Sequence, residues 1–126
     1  MPTTNHDERK LHIAIWDWMQ LALPPDAVAF HPANGEYRTA KTGALLKRMG
    51  VVAGVPDFLI FWNGRTLAIE VKAPGGRVLP AQIKMGQRLL RAGVMTTVVY
   101  KPEAVESFLR SVGMPLRASM IKEAKG

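Results

Sequence analysis

Asp57, Glu70 and Lys72 stand in an otherwise apolar stretch, GVPDFLIFWNGRTLAIEVK, spanning residues 54–72. Strand interiors disfavour Asp, Glu and Lys, so three of them there either line a solvent-facing side of a sheet or serve chemistry. Between the runs FLIFW (58–62) and TLAIEVK (66–72) lies Asn63-Gly64, the favoured pair for a two-residue type I′ turn. With those two residues as the loop, Trp62 faces Arg65 and, counting back along both strands, Asp57 faces Glu70. The carboxylates are then directly opposed, with Cβ atoms roughly 4.5–5.5 Å apart. Lys72 lies two residues beyond Glu70 and shares its face, because side chains alternate along a strand. The inference depends on loop length: a three-residue loop or a bulge would send Asp57 to the other side.

Like charges placed directly opposite destabilise a strand pair. Either one carboxyl keeps its proton or a cation sits between them. Hard divalent ions such as Mg²⁺ and Mn²⁺ take carboxylate oxygens and water and leave positions open for phosphate. An ammonium beside such an ion can orient or deprotonate a water and stabilise charge developing on phosphorus. Two acids and a lysine so arranged suggest metal-dependent phosphodiester hydrolysis. The plainer alternative keeps Glu70 and Lys72 as solvent-facing strand residues and Asp57 as a turn former after Pro56.

The surrounding pattern supplies elements to hold these residues. Leu11, Ile15, Trp18, Met19 and Ala22 recur at helical spacing within 7–22, with Asn5 as a candidate N-cap, Glu8 three residues on, and Pro24-Pro25 as the stop. AVAF (27–30) is a short strand candidate, residues 31–43 read as a polar loop, and ALLKRM (44–49) as a helical turn or two closed by Gly50. After the hairpin, Pro80 opens a helix over about 80–92, with Ile83, Leu89 and Leu90 directed inward and Gly93 as its stop. VMTTVVY (94–100) is the most β-branched strand. A last helix, about 102–112, carries Val105, Phe108, Leu109 and Val112 on one face. The order predicts an α/β domain with a mixed central sheet flanked by helices. Residues 1–126 read as one domain, with about 117–126 as a flexible tail.

The 17 basic and 10 acidic residues leave a net charge of +7, which favours a polyanionic partner, nucleic acid first. There are no cysteines, so disulfides, zinc fingers and thiol nucleophiles are excluded. The start of the sequence is polar and no window is apolar enough to span a membrane; a cytoplasmic address is expected. Gly75-Gly76 lacks the spacing of a phosphate-binding loop, so no nucleotide cofactor is expected. Arg38, Lys41, Lys47 and Arg48 cluster just ahead of Gly54-Val55-Pro56-Asp57, where they suit contact with a phosphate backbone. Lys84, Arg88 and Arg91 form a second, weaker basic stripe. His6, His12 and His31 show no metal-ligand spacing; His12 and His31 could lie near the site, but core or surface roles fit the pattern better. Trp16, Trp18 and Trp62 fit a core or a dimer contact better than a base-stacking platform.

Pro56-Asp57 followed by Glu70-Val71-Lys72 resembles the PD-(D/E)XK nuclease pattern. Gly54-Val55-Pro56-Asp57 with Leu79-Pro80-Ala81-Gln82 is similar to its VRR-NUC branch, in the stand-alone form of phage and bacteria. The likeness runs from the first helix to about Val112. It implies a restriction-endonuclease-like αβββαβ core, in agreement with the order above. It implies Asp57 and Glu70 as metal ligands, Lys72 as the catalytic lysine, the Val71 carbonyl as a further ligand, and Gln82 as the residue orienting substrate or water. Glu8 matches an outer ligand on the first helix, with N-terminal capping as its alternative, while His12 stands where the family usually has Gln. Asn34, in an Asn-Gly loop, matches a family position that touches substrate; Asn-Gly is equally a common turn.

These readings converge on a Mg²⁺- or Mn²⁺-dependent DNA endonuclease, selective for branched DNA such as four-way junctions and acting as a homodimer. Symmetric cuts need two sites related by a two-fold axis. A flap or nicking nuclease, a non-catalytic DNA-binding module and an RNA-directed nuclease on the same fold are the alternatives.

Overall fold

The computed structural model describes residues 5–33 and 40–121. The elements, in order, are α1 (Asn5–Ala22), β1 (Val28–Phe30), α2 (Ala40–Arg48), β2 (Phe58–Trp62), β3 (Arg65–Val71), α3 (Pro80–Arg91), β4 (Met95–Val99) and α4 (Pro102–Ser111). The four strands form one sheet in the order β1-β2-β3-β4, antiparallel except for the parallel β3–β4 pair. This is the mixed α/β sheet expected from the element order. The helix after Gly43 starts earlier than expected, at Ala40, inside the presumed loop. Asn5 is already helical rather than flanking the helix.

The hairpin follows its turn chemistry. Asn63 and Gly64 both hold positive φ (51° and 72°), the requirement of a type I′ turn. The ladder runs from Trp62↔Arg65 to Phe58↔Ile69 without a bulge, so Asp57 and Glu70 are the next opposed positions. Phe58 and Ile60 of β2, with Leu67, Ile69 and Val71 of β3, turn to one face and are fully buried. There α1 supplies Ile15, Trp18, Met19 and Ala22, and α4 supplies Val105 and Leu109, completing the core. Each such side chain contributes roughly 1.5–3 kcal/mol by leaving water.

β3 lies between two strands and has both faces covered, so its second face is also buried: Ala68, Glu70 and Lys72 expose only 1%, 9% and 6%. The solvent-facing reading of Glu70 and Lys72 is therefore excluded. Over that face lies α3, but not as its periodicity suggests. No α3 residue is buried, and Ile83 and Leu90 are 49% and 64% exposed rather than directed inward. Small residues under the helix explain this: a cavity of about 200 Å³, lined among others by Ala68, Gly86, Thr96 and Val98, separates α3 from the sheet.

The last described stretch is pinned, although residues from about 117 had read as a tail. The Arg117 N–H donates to the Ala22 carbonyl at 2.8 Å, satisfying an acceptor that the end of α1 leaves free. Glu106, fully buried on α4, accepts from the Arg110 guanidinium (2.8 Å), the Ser119 hydroxyl (2.6 Å) and the N–H of Met120 (2.6 Å). Burial alone would raise its pKa; these donors outweigh burial and bring it to about 2. Residues 122–126 lie outside the described residues.

A carboxylate held this low stabilises the fold at neutral pH, and the contribution is lost as pH falls from about 4.5 towards about 2. Glu106→Ala removes the buried acceptor that ties Arg110, Ser119 and Met120 to α4 and should cost about 2 kcal/mol in urea unfolding. Glu106→Gln should remove most of the extra acid sensitivity that wild type shows in that window.

Candidate metal and phosphate site

Asp57, Glu70 and Lys72 meet at one end of the β2–β3 hairpin. The Asp57 Oδ2 accepts the Val71 N–H at 2.8 Å across the strand pair. Val71 was expected to offer its carbonyl; the structure adds that its N–H orients Asp57. Lys72 is buried, its own N–H donating to the Val99 carbonyl at 2.9 Å, which extends the parallel pairing. Its Nζ lies 3.8 Å from the Glu8 carboxylate on α1. Glu8 is thus at the site's edge rather than serving only as a cap.

The two carboxyls behave as a crowded pair. Burial, then the adjacent Asp57 carboxylate, pushes Glu70 up to about 9. Burial also acts to raise Asp57, but the His12 imidazole, the Glu70 carboxyl and the Val71 N–H hold it below the usual range. Without a cation Glu70 therefore favours its protonated form at neutral pH, beside an ionised Asp57. A divalent ion would displace that proton and neutralise both groups, and the donor set fits one: two opposed carboxylate oxygens, with a third acid, Glu8, one side chain away.

Gln82 reaches the same pair from α3. Its Oε1 accepts the Leu79 N–H at 2.8 Å and its Nε2 donates to Glu70 Oε1 at 3.2 Å. The residue closes the helix's first turn and fixes the orientation of its own amide towards Glu70. Gly54 makes the approach of α3 possible. It holds φ +84°, and a Cβ there would lie 2.3 Å from the Ala81 carbonyl oxygen. The segment leading to Asp57 is thus packed backbone-to-backbone on the turn that carries Gln82.

His12 and His31, read from sequence as core or surface residues, are brought to Asp57. His12 Nδ1 is 3.5 Å from Asp57 Oδ1, and the His31 Nδ1 is hydrogen-bonded to the Asp57 backbone carbonyl. His12 follows Glu8 by one helical turn, a spacing that signals a shared face. His31 carried no such signal, because its position depends on the pairing of β1 with β2. Of the basic residues, Lys41, Lys47 and Arg48 lie exposed on α2, and Lys84, Arg88 and Arg91 lie exposed on α3. Asn34 and Arg38 fall outside the described residues. Trp18 is in the core, while Trp16 and Trp62 pack partly buried against it.

The family model of the VRR-NUC domain matches residues 4–101. The chain belongs to the VRR-NUC family. A solved structure described as a VRR_NUC domain protein superimposes with a TM-score of 0.65 at 22% identity, covering 83% of this chain and 86% of its own. That likeness carries the fold. No curated protein matches the chain. Membership of a VRR-NUC family implies nuclease-type function with DNA as the partner, and agrees with the wider PD-(D/E)XK superfamily. Among the described residues no helix is long and apolar enough to cross a membrane.

Two outcomes follow from this VRR-NUC geometry. Because Glu70 binds a proton in the fold that the unfolded chain releases above about 4.5, the metal-free protein should lose stability as pH rises from about 4.5 to about 9. Melting curves of Glu70→Gln should show that slope flattened. Gly54→Ala should destabilise by more than about 2 kcal/mol, with near-ultraviolet circular dichroism reporting disturbed packing around α3.

Proposed function

We propose that the protein is a Mg²⁺- or Mn²⁺-dependent DNA endonuclease in which Asp57 and Glu70 hold the ion. One observation carries the reading: a half-buried Asp57 and a buried Glu70 stand at opposed positions of the hairpin, beside a buried lysine. A structural strand pair gains nothing from that crowding, whereas a cation site requires it. Glu8 and the Val71 carbonyl complete the ligand set.

The bound ion supplies Lewis-acid polarisation of the scissile phosphate and a lowered pKa for water. Lys72, kept from bulk water, orients the attacking water and stabilises negative charge on the phosphoryl oxygens. Gln82 holds Glu70 in place and offers its amide to substrate or water. Water attacks phosphorus, the bond to the 3′-oxygen breaks, and the products carry a 5′-phosphate and a 3′-hydroxyl. Lys41, Lys47 and Arg48 on α2, with Asn34 and Arg38 ahead of them, grip the backbone; such contacts give affinity without sequence choice. A domain of this size has little surface to enclose a duplex. That favours branched DNA, four-way junctions foremost, cut by a homodimer with one site per strand.

The test is cleavage of labelled four-way junction, 5′-flap, linear duplex, single strand and double-stranded RNA, each with Mg²⁺, Mn²⁺ or EDTA. Metal-dependent cutting should vanish in Glu70→Ala. Lys72→Ala should lower the rate by about 10²-fold or more and leave DNA binding intact. Wild-type binding without cutting on any substrate would make the protein a DNA-binding module instead.

A further inference from the structure

Asp57 presents its two oxygens in different directions. Oδ2 accepts the Val71 N–H on the strand side, next to Glu70, whereas Oδ1 faces His12 on α1. Beyond His12 lies His31, at the end of β1. One donor atom each from His12, His31 and Asp57 lies within 4.8 Å of the other two. These are the ligand types of a two-histidine, one-carboxylate set. Glu70 and Gln82 take no part in it.

Three features make this cluster more than a chance meeting. The first is the spacing: His12 Nδ1 and Asp57 Oδ1 are 3.5 Å apart, long for a charge-assisted hydrogen bond of about 2.7–2.9 Å. Two donors each about 2.1 Å from a common ion at a tetrahedral angle lie about 3.4 Å apart. The second is orientation. His31 Nδ1 is engaged by the Asp57 carbonyl, the outer hydrogen bond that ligating histidines usually make, and this leaves Nε2 with its lone pair. The third is rigidity: the His12 ring packs on Phe58 with centroids 4.3 Å apart, and His31 meets the His12 ring edge-on at 4.6 Å and Phe58 edge-on at 6.1 Å. Both imidazoles are therefore held by the fully buried Phe58, not by long flexible stems.

We infer that His12, His31 and Asp57 form a second cation subsite, adjoining the Asp57–Glu70 pair and selecting a divalent transition-metal ion over Mg²⁺. Imidazole nitrogen suits Zn²⁺ and the later first-row ions such as Co²⁺ above all; Mn²⁺ stands lowest in that series, and Mg²⁺ keeps to oxygen and water. Asp57 is shared: one oxygen belongs to each subsite. The purpose of the subsite rests on the nuclease reading, but its existence does not. A nuclease with this subsite would respond to Mn²⁺ and Mg²⁺ as different ions rather than as a stronger and a weaker version of the same one.

The test is made without DNA. Metal-free full-length protein is loaded with Mn²⁺ and pulsed electron paramagnetic resonance is used to look for ¹⁴N couplings. A Co²⁺ titration then follows the visible ligand-field bands. Wild type should show imidazole nitrogen on Mn²⁺. His12→Ala and His31→Ala should each weaken Co²⁺ binding about tenfold or more and change its spectrum, while His31→Ala keeps Mg²⁺ affinity within about twofold of wild type. Glu70→Gln should retain the nitrogen signal. Absence of ¹⁴N coupling in wild-type protein, a result needing no variant to fold, would overturn the subsite. So would histidine variants that bind Co²⁺ as wild type does. Failure of the nuclease reading shows instead as absent cleavage, so the two can fail separately.

Discussion

Two carboxyl groups forced opposite each other at the open end of a β-hairpin set the terms for the rest of this molecule. The Asn63-Gly64 turn fixes the register, and the register leaves Asp57 and Glu70 no way to avoid each other. Burial makes the encounter costly, since like charges in low dielectric repel far more than in water. Every neighbour of the pair is in some way a response to that cost: a proton on Glu70, the Val71 N–H, the amide of Gln82, the imidazole of His12 and the ammonium of Lys72. Strain of this kind persists only where surrounding structure over-determines it.

That surrounding structure comes from the central position of β3. A strand with neighbours on both sides and helices over both faces buries its charged alternate residues as firmly as its apolar ones. The core face anchors the strand through Leu67, Ile69 and Val71, and so the opposite face can tolerate Glu70 and Lys72. On that side α3 stands off the sheet over a cavity but is tied down at its first turn, where Gly54 lets two backbones touch. The helix is held at the one end that matters to the carboxyl pair and packs loosely elsewhere. Its exposed apolar residues reflect that arrangement rather than a misplaced helix.

Much of this was legible in the sequence wherever the determinant is local. The hairpin register needed only a two-residue turn, and with it came the opposition of Asp57 and Glu70. Helical spacing marked Ile15, Trp18, Met19, Val105 and Leu109 as core, and all are buried. Where the determinant is distant, the reading stopped. β1 has three residues and pairs with β2 across a long connection, so a place for His31 near the site was one alternative and its meeting with Asp57 could not be derived. Glu106 carries no local sign of burial, because most of its donors lie thirteen to fifteen residues away. The inward face of α3 was misjudged because amphipathic periodicity tells which residues share a side, not how closely that side approaches the sheet.

The bond from Arg117 to the last turn of α1 has a consequence for the order in which the molecule can be made. α1 carries Glu8 and His12, yet its seat is built from Leu109, Val112 and Met114 and closed by the segment around residue 117. During synthesis the ribosome supplies residues at about 5–20 per second, and the first helix waits for partners that emerge roughly a hundred residues later. Until then the hairpin can pair, bring its carboxyls together and offer Phe58 to α1, but the part of the helix's seat that α4 supplies is missing. The α1 side of the charged centre is therefore fully braced only once the segment around residue 117 has been made.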